Sequence, residues 1–342
     1  MSTGAMRAQT PVSLASVAFA RAYVTTMRPY LLFVSGITGI VGMALVPGVP
    51  AGAALGLGFA FSLSYGFGQA LTDCFQIDTD SISAPYRPLV QGIIRRWQVA
   101  VISVAGLAVV GVALVAAHPW NLPLVVACIA GLSTYTWFKR RWWAGPFYNA
   151  WIVAALLLAG VLAGIGAGGD YPRSALALAG TGVAVFFGYS NFVLTGYFKD
   201  ISADRSTGYD TLPVRAGRSV SCVVSDGFAL IAVAGTLLAA EASGITARGA
   251  PAEDAFHQAA GAVVAVLLVG AGILASTLAQ IRLHSVRRDD DAHFAIVPAV
   301  HAYVLLLTGI AVAHRPGWTL ALLSFTAMYL VTMLSRPVRE QI

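Results

Sequence analysis

The stretch Leu71-Thr-Asp-Cys-Phe-Gln-Ile-Asp-Thr-Asp-Ser-Ile-Ser-Ala-Pro-Tyr-Arg-Pro-Leu-Val-Gln-Gly92 decides how this chain is read. It sets the carboxylates Asp73, Asp78 and Asp80 and the cation Arg87 at the end of an apolar run of membrane-spanning length. A second acidic stretch, Tyr197-Phe-Lys-Asp-Ile-Ser-Ala-Asp204, closes a later apolar run in the same way. Carboxylates at a membrane edge are costly to desolvate, so two such sets imply a shared cation. With Lys and Arg beside them, the expected guest is a metal-bound polyanion such as a diphosphate.

Outward from this stretch, the composition fixes the class. Of 342 residues 58% are hydrophobic and only 11% charged, with a mean hydropathy of +0.76. A soluble domain carries roughly 25% charged residues, so the chain reads as a polytopic membrane protein. Its apolar runs are long enough for helices and lack the short alternation of barrel strands. The expected fold is an all-α bundle of nine to ten transmembrane helices around a central cavity open to the cytoplasmic side. Cys74, Cys128 and Cys222 have neither metal-ligand spacing nor a paired framework, and the six His residues form no cluster. Met1 to Thr10 lack the pattern of a cleavable signal peptide. The net charge of +6 fits loop cations and is no nucleic-acid footprint.

Thr10 and Pro11 predict the start of an interfacial helix running to Thr26, with Arg21 and Arg28 at the inner membrane surface. Ten spans follow at about 29–47, 51–71, 97–117, 120–138, 145–167, 174–197, 218–240, 259–281, 296–313 and 317–335. The whole chain, 1–342, reads as one domain with residues 1–28 as its N-terminal segment. Basic residues gather in alternate connections, among them Arg87, Arg95 and Arg96, then Lys139 to Arg141, then Lys199, Arg205 and Arg215. The positive-inside rule therefore predicts an integral, multi-pass protein of the cell (inner) membrane, with both acidic segments cytoplasmic. Each acidic segment is followed by Pro-x-x-x-Gly, at Pro88–Gly92 and Pro213–Gly217, which suggests an internal repeat. Gly36, Gly39 and Gly42 fit close helix packing.

If the second span continues as a helix beyond residue 71, Gln69, Asp73, Gln76 and Asp80 fall on one stripe and Asp78 lies off it. Asp200 and Asp204, four apart, share a face as well. The four carboxylates are enough to hold Mg²⁺ ions that keep several waters and take further oxygens from phosphate.

These residues resemble the UbiA superfamily of intramembrane prenyltransferases. That family carries N-D-x-x-D-x-x-x-D, then Pro-x-Arg-Pro-Leu, and later D-x-x-x-D. The second motif is present as Asp200 and Asp204. The first reads Thr72-Asp73-x-x-Gln76-x-x-x-Asp80, with Thr72 for Asn and Gln76 for the central Asp, followed by Pro85-Tyr-Arg-Pro-Leu89. Tyr135-x-x-x-Lys139-Arg140, Gly145-x-x-x-Asn149 and Arg28-Pro29 are further similarities. The family is usually described with nine spans, one fewer than the count here.

The resemblance implies a Mg²⁺-dependent transfer of a prenyl group from an allylic polyprenyl diphosphate to an acceptor, aromatic by expectation. Asp73, Asp80, Asp200 and Asp204 would hold the metal. Lys139, Lys199, Arg87, Arg140, Arg28, Tyr135, Gln76 and Asn149 would contact substrate. Phe67 and Tyr148 are within the set that could approach the acceptor, and Trp137, Trp142 and Trp143 read as interface anchors. The rival within the same chemistry is a membrane terpene cyclase that uses the diphosphate alone. A secondary transporter is the rival of another class, but its coupling acids belong near the bilayer midplane, and these lie at span ends beside Lys and Arg.

Overall fold

The computed structural model describes residues 11–246 and 255–336, and among them every regular element is helical. Among the described residues ten helices or helix pairs are long and apolar enough to cross a membrane, which matches the hydropathy count. Only helices and closed barrels satisfy every backbone polar group inside lipid, so an all-helical bundle is the physical consequence of this composition.

The chain enters through α1 (Val17–Met27), later than expected: Ser16, with its hydroxyl accepting from the Phe19 amide at 3.1 Å, caps it. Pro11 precedes the helix, and Thr10 lies outside the described residues. A 3-10 turn (Pro29–Leu31) leads into α2 (Leu32–Ala44), which lies at the bundle centre and buries nearly every side chain. Arg28, between α1 and the turn, is buried. Close approach explains the α2 glycines. A Cβ on Gly42 would collide with the Leu157 carbonyl oxygen of α7 (Gly145–Gly166), and one on Gly39 with the Phe61 ring of α3 (Ala51–Asp73).

The expected continuous helix through Asp80 is not formed. The α3 helix ends at Asp73, and a separate short helix, α4 (Ile77–Ser83), begins after Gln76. The same device recurs where α8 (Ala175–Tyr197) ends and α9 (Ile201–Ser206) begins after Asp200. Gln76 (φ −122°, ψ 19°) and Asp200 (φ −108°, ψ 6°) hold nearly the same backbone conformation. Gly92 (φ +72°) and Gly217 (φ +81°) then turn the chain into α5 (Arg96–Ala117) and along α10 (Leu212–Thr246). The short helices α4 and α9 touch, so the two units meet at one end of the bundle.

The remaining spans are α6 (Asn121–Lys139), α11 (Ala255–Ser285), α12 (His293–His314) and α13 (Thr319–Leu334). The last leans on α12 and on the turn before α2, with Phe325 and Tyr329 against Phe33. Large apolar side chains such as Leu320, Leu230 and Leu334 point outward from the bundle, as lipid contact requires.

Candidate active site

Two helix faces build the site. Along α3, Tyr65, Gln69 and Asp73 succeed one another at four-residue spacing; along α8, Tyr189, Val193 and Tyr197 do the same. Both faces line one polar pocket, which the helix breaks close by turning Gln76, Asp80, Lys199 and Asp200 inward. Arg28 reaches the pocket because its backbone is left-handed (φ 53°), a strained conformation for a residue with a side chain.

The acids are distributed between two sets of cations. Arg28 donates through Nη2 to both oxygens of Asp73 at 3.0 Å, and Gln69 Nε2 donates to Asp73 Oδ1 at 2.7 Å. Arg87 pairs with Asp80 and lies 3.7 Å from Asp73. On the other side Lys139 Nζ donates to Gln76 Oε1 at 2.9 Å and stands 3.5 Å from Asp200 and 3.6 Å from Asp204. Thr211 donates to Asp204 Oδ2 at 3.2 Å, whereas the buried Asp204 Oδ1 has no hydrogen-bond partner among the described residues. Lys199 donates to the Tyr86 hydroxyl at 3.4 Å.

Burial shifts the loop groups strongly. It raises Asp80 to about 6, helped by the charges of Asp73 and Asp200 and opposed by Arg87. It raises Asp204 to about 7, with Asp200 adding and Lys139 opposing. For Asp200 burial also acts upward, but Lys139, Lys199 and Arg87 outweigh it and hold the carboxyl below its ordinary value. Lys199 falls to about 7, through burial first and the neighbouring Arg87 second. Two carboxylates and one amine are thus poised near neutrality, where a bound cation displaces protons from the acids and a bound anion draws one onto the amine.

The four acids do not converge by themselves, as the sequence suggested they would. Among the described residues no three metal-ligating side chains form a cluster, because Arg87 and Lys139 stand between the carboxylates. A Mg²⁺ site nevertheless fits. The donors are all hard oxygens, Asp204 Oδ1 is buried without a hydrogen bond, and Mg²⁺ needs only one or two carboxylates when phosphate and water complete its shell.

Tyr135, Asn149 and Gln76 line the pocket, and Tyr135 shares a hydroxyl–hydroxyl bond of 2.9 Å with Tyr197. Arg140 does not line it. It pairs with Asp78 at 3.1 Å and bonds the Tyr209 hydroxyl, tying α4 to the segment after α9, with both partners about half exposed. Asp78 is accordingly peripheral. Tyr148 stacks on Phe138, and Phe67 fills the space above Gly106. The sequence reading passed over Tyr65, Tyr189 and Tyr197. Their four-residue spacing ahead of each acidic motif was the available signal, although aromatic residues on spans are usually packing.

Beyond the polar pocket an apolar cavity runs between α3, α5, α6 and α7 toward Leu114, Leu124 and Ala159. The two spaces share Tyr65, Gln69, Thr72, Asn149 and Tyr189, so a charged chamber opens directly into an oily one.

The UbiA prenyltransferase family model matches residues 35–297 of the chain. The chain belongs to this family. Digeranylgeranylglyceryl phosphate synthase of Natronomonas pharaonis is 30% identical over 217 residues, 62% of this chain and 75% of that protein. The synthase of the same name from Thermococcus kodakarensis is 27% identical over 64% of this chain and 77% of its own length. Chloroplastic chlorophyll synthase of Arabidopsis thaliana is 28% identical over 51% of this chain and 47% of its own. Among solved structures, a UbiA homolog from Archaeoglobus fulgidus bound to GPP and Mg²⁺ aligns with a TM-score of 0.61 at 17% identity, over 85% of this chain and 99% of that one. A UbiA homolog from Aeropyrum pernix gives 0.61 at 20% identity, over 79% and 94%. The fold of this UbiA-family enzyme, a polytopic membrane prenyltransferase, is therefore shared across relatives of low identity.

Proposed function

We propose that this chain takes a Mg²⁺-complexed polyprenyl diphosphate and transfers its prenyl group to a hydroxyl of a phosphate-bearing glycerol lipid. The observation that carries the donor is the junction of chambers: cations and carboxylates on one side of the Tyr65–Tyr189 boundary, an apolar channel on the other. An amphiphile with a diphosphate head and an isoprenoid tail matches both at once.

Bound Mg²⁺ supplies charge neutralisation to the departing diphosphate, and Asp73, Asp80, Asp200 and Asp204 are the residues that would hold it. Arg28, Arg87, Lys139 and Lys199 surround the same space and stabilise the negative charge that grows as the allylic C–O bond breaks. The bond's electron pair leaves with the diphosphate. The hydroxyls and rings of Tyr65, Tyr135, Tyr189 and Tyr197 flank the allylic end, where ring faces favour a carbocation and the apolar wall keeps water out. The acceptor oxygen then forms the new C–O bond, and its proton passes to a diphosphate oxygen.

For the acceptor, a second polar cavity adjoins the site and shares Lys199 with it. Arg218, Arg287, Arg288 and His293 line this space, with Asp289 and Asp290 answering part of their charge. Cations beside the reaction chamber suit an acceptor that carries its own phosphate, the class named for the archaeal relatives, better than the aromatic acceptor first expected. The gathering of Arg and Lys at this end of the bundle supports, by the positive-inside rule, a site on the cytoplasmic side of the cell membrane.

The test is diphosphate release and product extraction from the purified protein in lipid. Geranyl, farnesyl and geranylgeranyl diphosphates would be supplied with Mg²⁺, alone and then with a prenylglyceryl phosphate or a panel of phenols. A new ether lipid is the expected product. A prenylated phenol would restore the aromatic acceptor, and release without acceptor, yielding a hydrocarbon, would make the enzyme a cyclase.

A further inference from the structure

A cavity of about 720 Å³ opens at the opposite end of the bundle from the site, where α2 ends and α8 begins. Its rim is polar and basic: Arg173, Ser243, Gln258, His314 and Arg315. Its floor is apolar. On α11 the lining residues run from Gln258 through Ala262, Val266 and Val269 to Ile273, one helix face that descends about 22 Å at 1.5 Å per residue. Ala262, Ala265 and Gly270 on α11 and Ala240 and Ser243 on α10 are small and leave a groove between the two helices.

The charge at the rim is only partly answered. Among the described residues no Asp or Glu lines the cavity. Arg315 is half-buried; its Nη2 donates to the Val49 carbonyl at 2.5 Å and its guanidinium lies 4.8 Å from the Trp318 ring. Among the described residues it has no carboxylate partner, and burial pushes its pKa down. Arg173 has only the exposed Asp170 at 3.8 Å. Two guanidinium groups on the face poorer in cations, above a groove of acyl-chain length, call for an anion that carries an apolar tail.

We propose that this cavity is a binding site for an anionic phospholipid, with the phosphodiester between Arg315 and Arg173 and one acyl chain along the α10–α11 groove. A second prenyl diphosphate is a poorer occupant, because among the described residues the cavity offers no carboxylate to hold the metal such a head requires. A phosphodiester carries a single charge and needs no metal. Lipid seated there would fill the gap between α10 and α11 and fasten α12 to α13 at the Arg315 turn.

The test is native mass spectrometry of the delipidated protein titrated with phosphatidylglycerol or phosphatidylcholine, alongside turnover in phosphatidylcholine bilayers. Wild type is expected to prefer phosphatidylglycerol by roughly tenfold, the scale two interfacial cations confer. The R173Q/R315Q variant should lose that preference while keeping wild-type turnover in neutral bilayers, and Arg315→Lys should keep it. Ala262→Phe, which fills the groove and leaves the rim intact, should weaken retention of either lipid. Equal binding of the two lipids by wild type would overturn the proposal. So would an undiminished preference in the double variant, or a loss in Arg315→Lys as large as in the double variant, since the latter would trace the effect to the Val49 bond and not to charge.

Discussion

Lys139 gathers three oxygens, from Gln76, Asp200 and Asp204, and the first of these carries no charge. Gln76 and Asp200 hold equivalent places before α4 and α9, so one position of a repeated design has been neutralised. With a carboxylate restored there, the pocket would hold one more hard anionic oxygen for the metal. Gln76→Asp is expected to lower the Mg²⁺ concentration for half-maximal diphosphate release by about tenfold, worth 1.4 kcal/mol. An unchanged Mg²⁺ curve would mean that residue 76 serves Lys139 alone. Protons compete for the same oxygens. Asp80 at about 6 and Asp204 at about 7 lie above the ordinary carboxylate value of 3.8, so the folded protein takes up protons there as pH falls from 8 to 6. Metal must displace those protons, and the Mg²⁺ requirement should climb over that interval. Lys199, at about 7, gains its charge over the same interval, which favours the diphosphate. Mg²⁺ titrations at fixed donor, repeated from pH 8 to pH 6, should therefore show a rising metal constant while the donor KM holds or falls. A metal constant that is flat with pH would remove Asp80 and Asp204 from the metal site.

At the scale of elements, the two helix–break–helix units hold the carboxylates proposed for the metal, and they were only partly legible. The Pro-x-x-x-Gly echoes mark the turns, and the structure shows both glycines at positive φ. The break after Asp73 left no such trace. Thr72 to Asp80 contains neither Gly nor Pro, and its local propensity is compatible with one continuous helix. What competes with that helix is tertiary: Arg28 grips Asp73 from one direction and Arg87 grips Asp80 from another, neither of them a neighbour in sequence. The left-handed backbone of Arg28 between two helices likewise has no periodic signature. Gly217 offers a clean test of the turn. A Cβ there meets nothing within 4 Å, so Gly217→Ala has no clash and its whole cost is the backbone (φ 81°, ψ 170°), a region nearly restricted to glycine, about 1–3 kcal/mol. A lower melting temperature with normal donor affinity is expected; no change in melting would show that the turn relaxes without strain.

For the whole molecule, span number was readable because lipid forces each crossing segment to be apolar and helical, whatever its neighbours. Which spans pack together was not, since lipid-facing and bundle-facing apolar side chains look alike in sequence. That is why the apolar cavity between α3, α5, α6 and α7, proposed to take the tail, emerged only in three dimensions. From Asn149 at its mouth to Ala159 near its end, the channel follows ten residues of α7, about 15 Å of helix. Its depth should set the longest donor the enzyme accepts, because a tail that does not fit must expose apolar surface or displace a wall. Leu124 lines the far end and is only partly buried, so a larger ring there shortens the channel with little cost to the fold. Leu124→Trp is expected to lower kcat/KM for geranylgeranyl diphosphate by about tenfold or more, the effect of one or two displaced methylene pairs, while geranyl diphosphate is used as before. The comparison of donors within one variant separates channel length from general damage. An equal loss for both donors would place the tail elsewhere, along another face of the bundle, and with it the assignment of the Tyr65–Tyr189 junction as the seat of the allylic carbon.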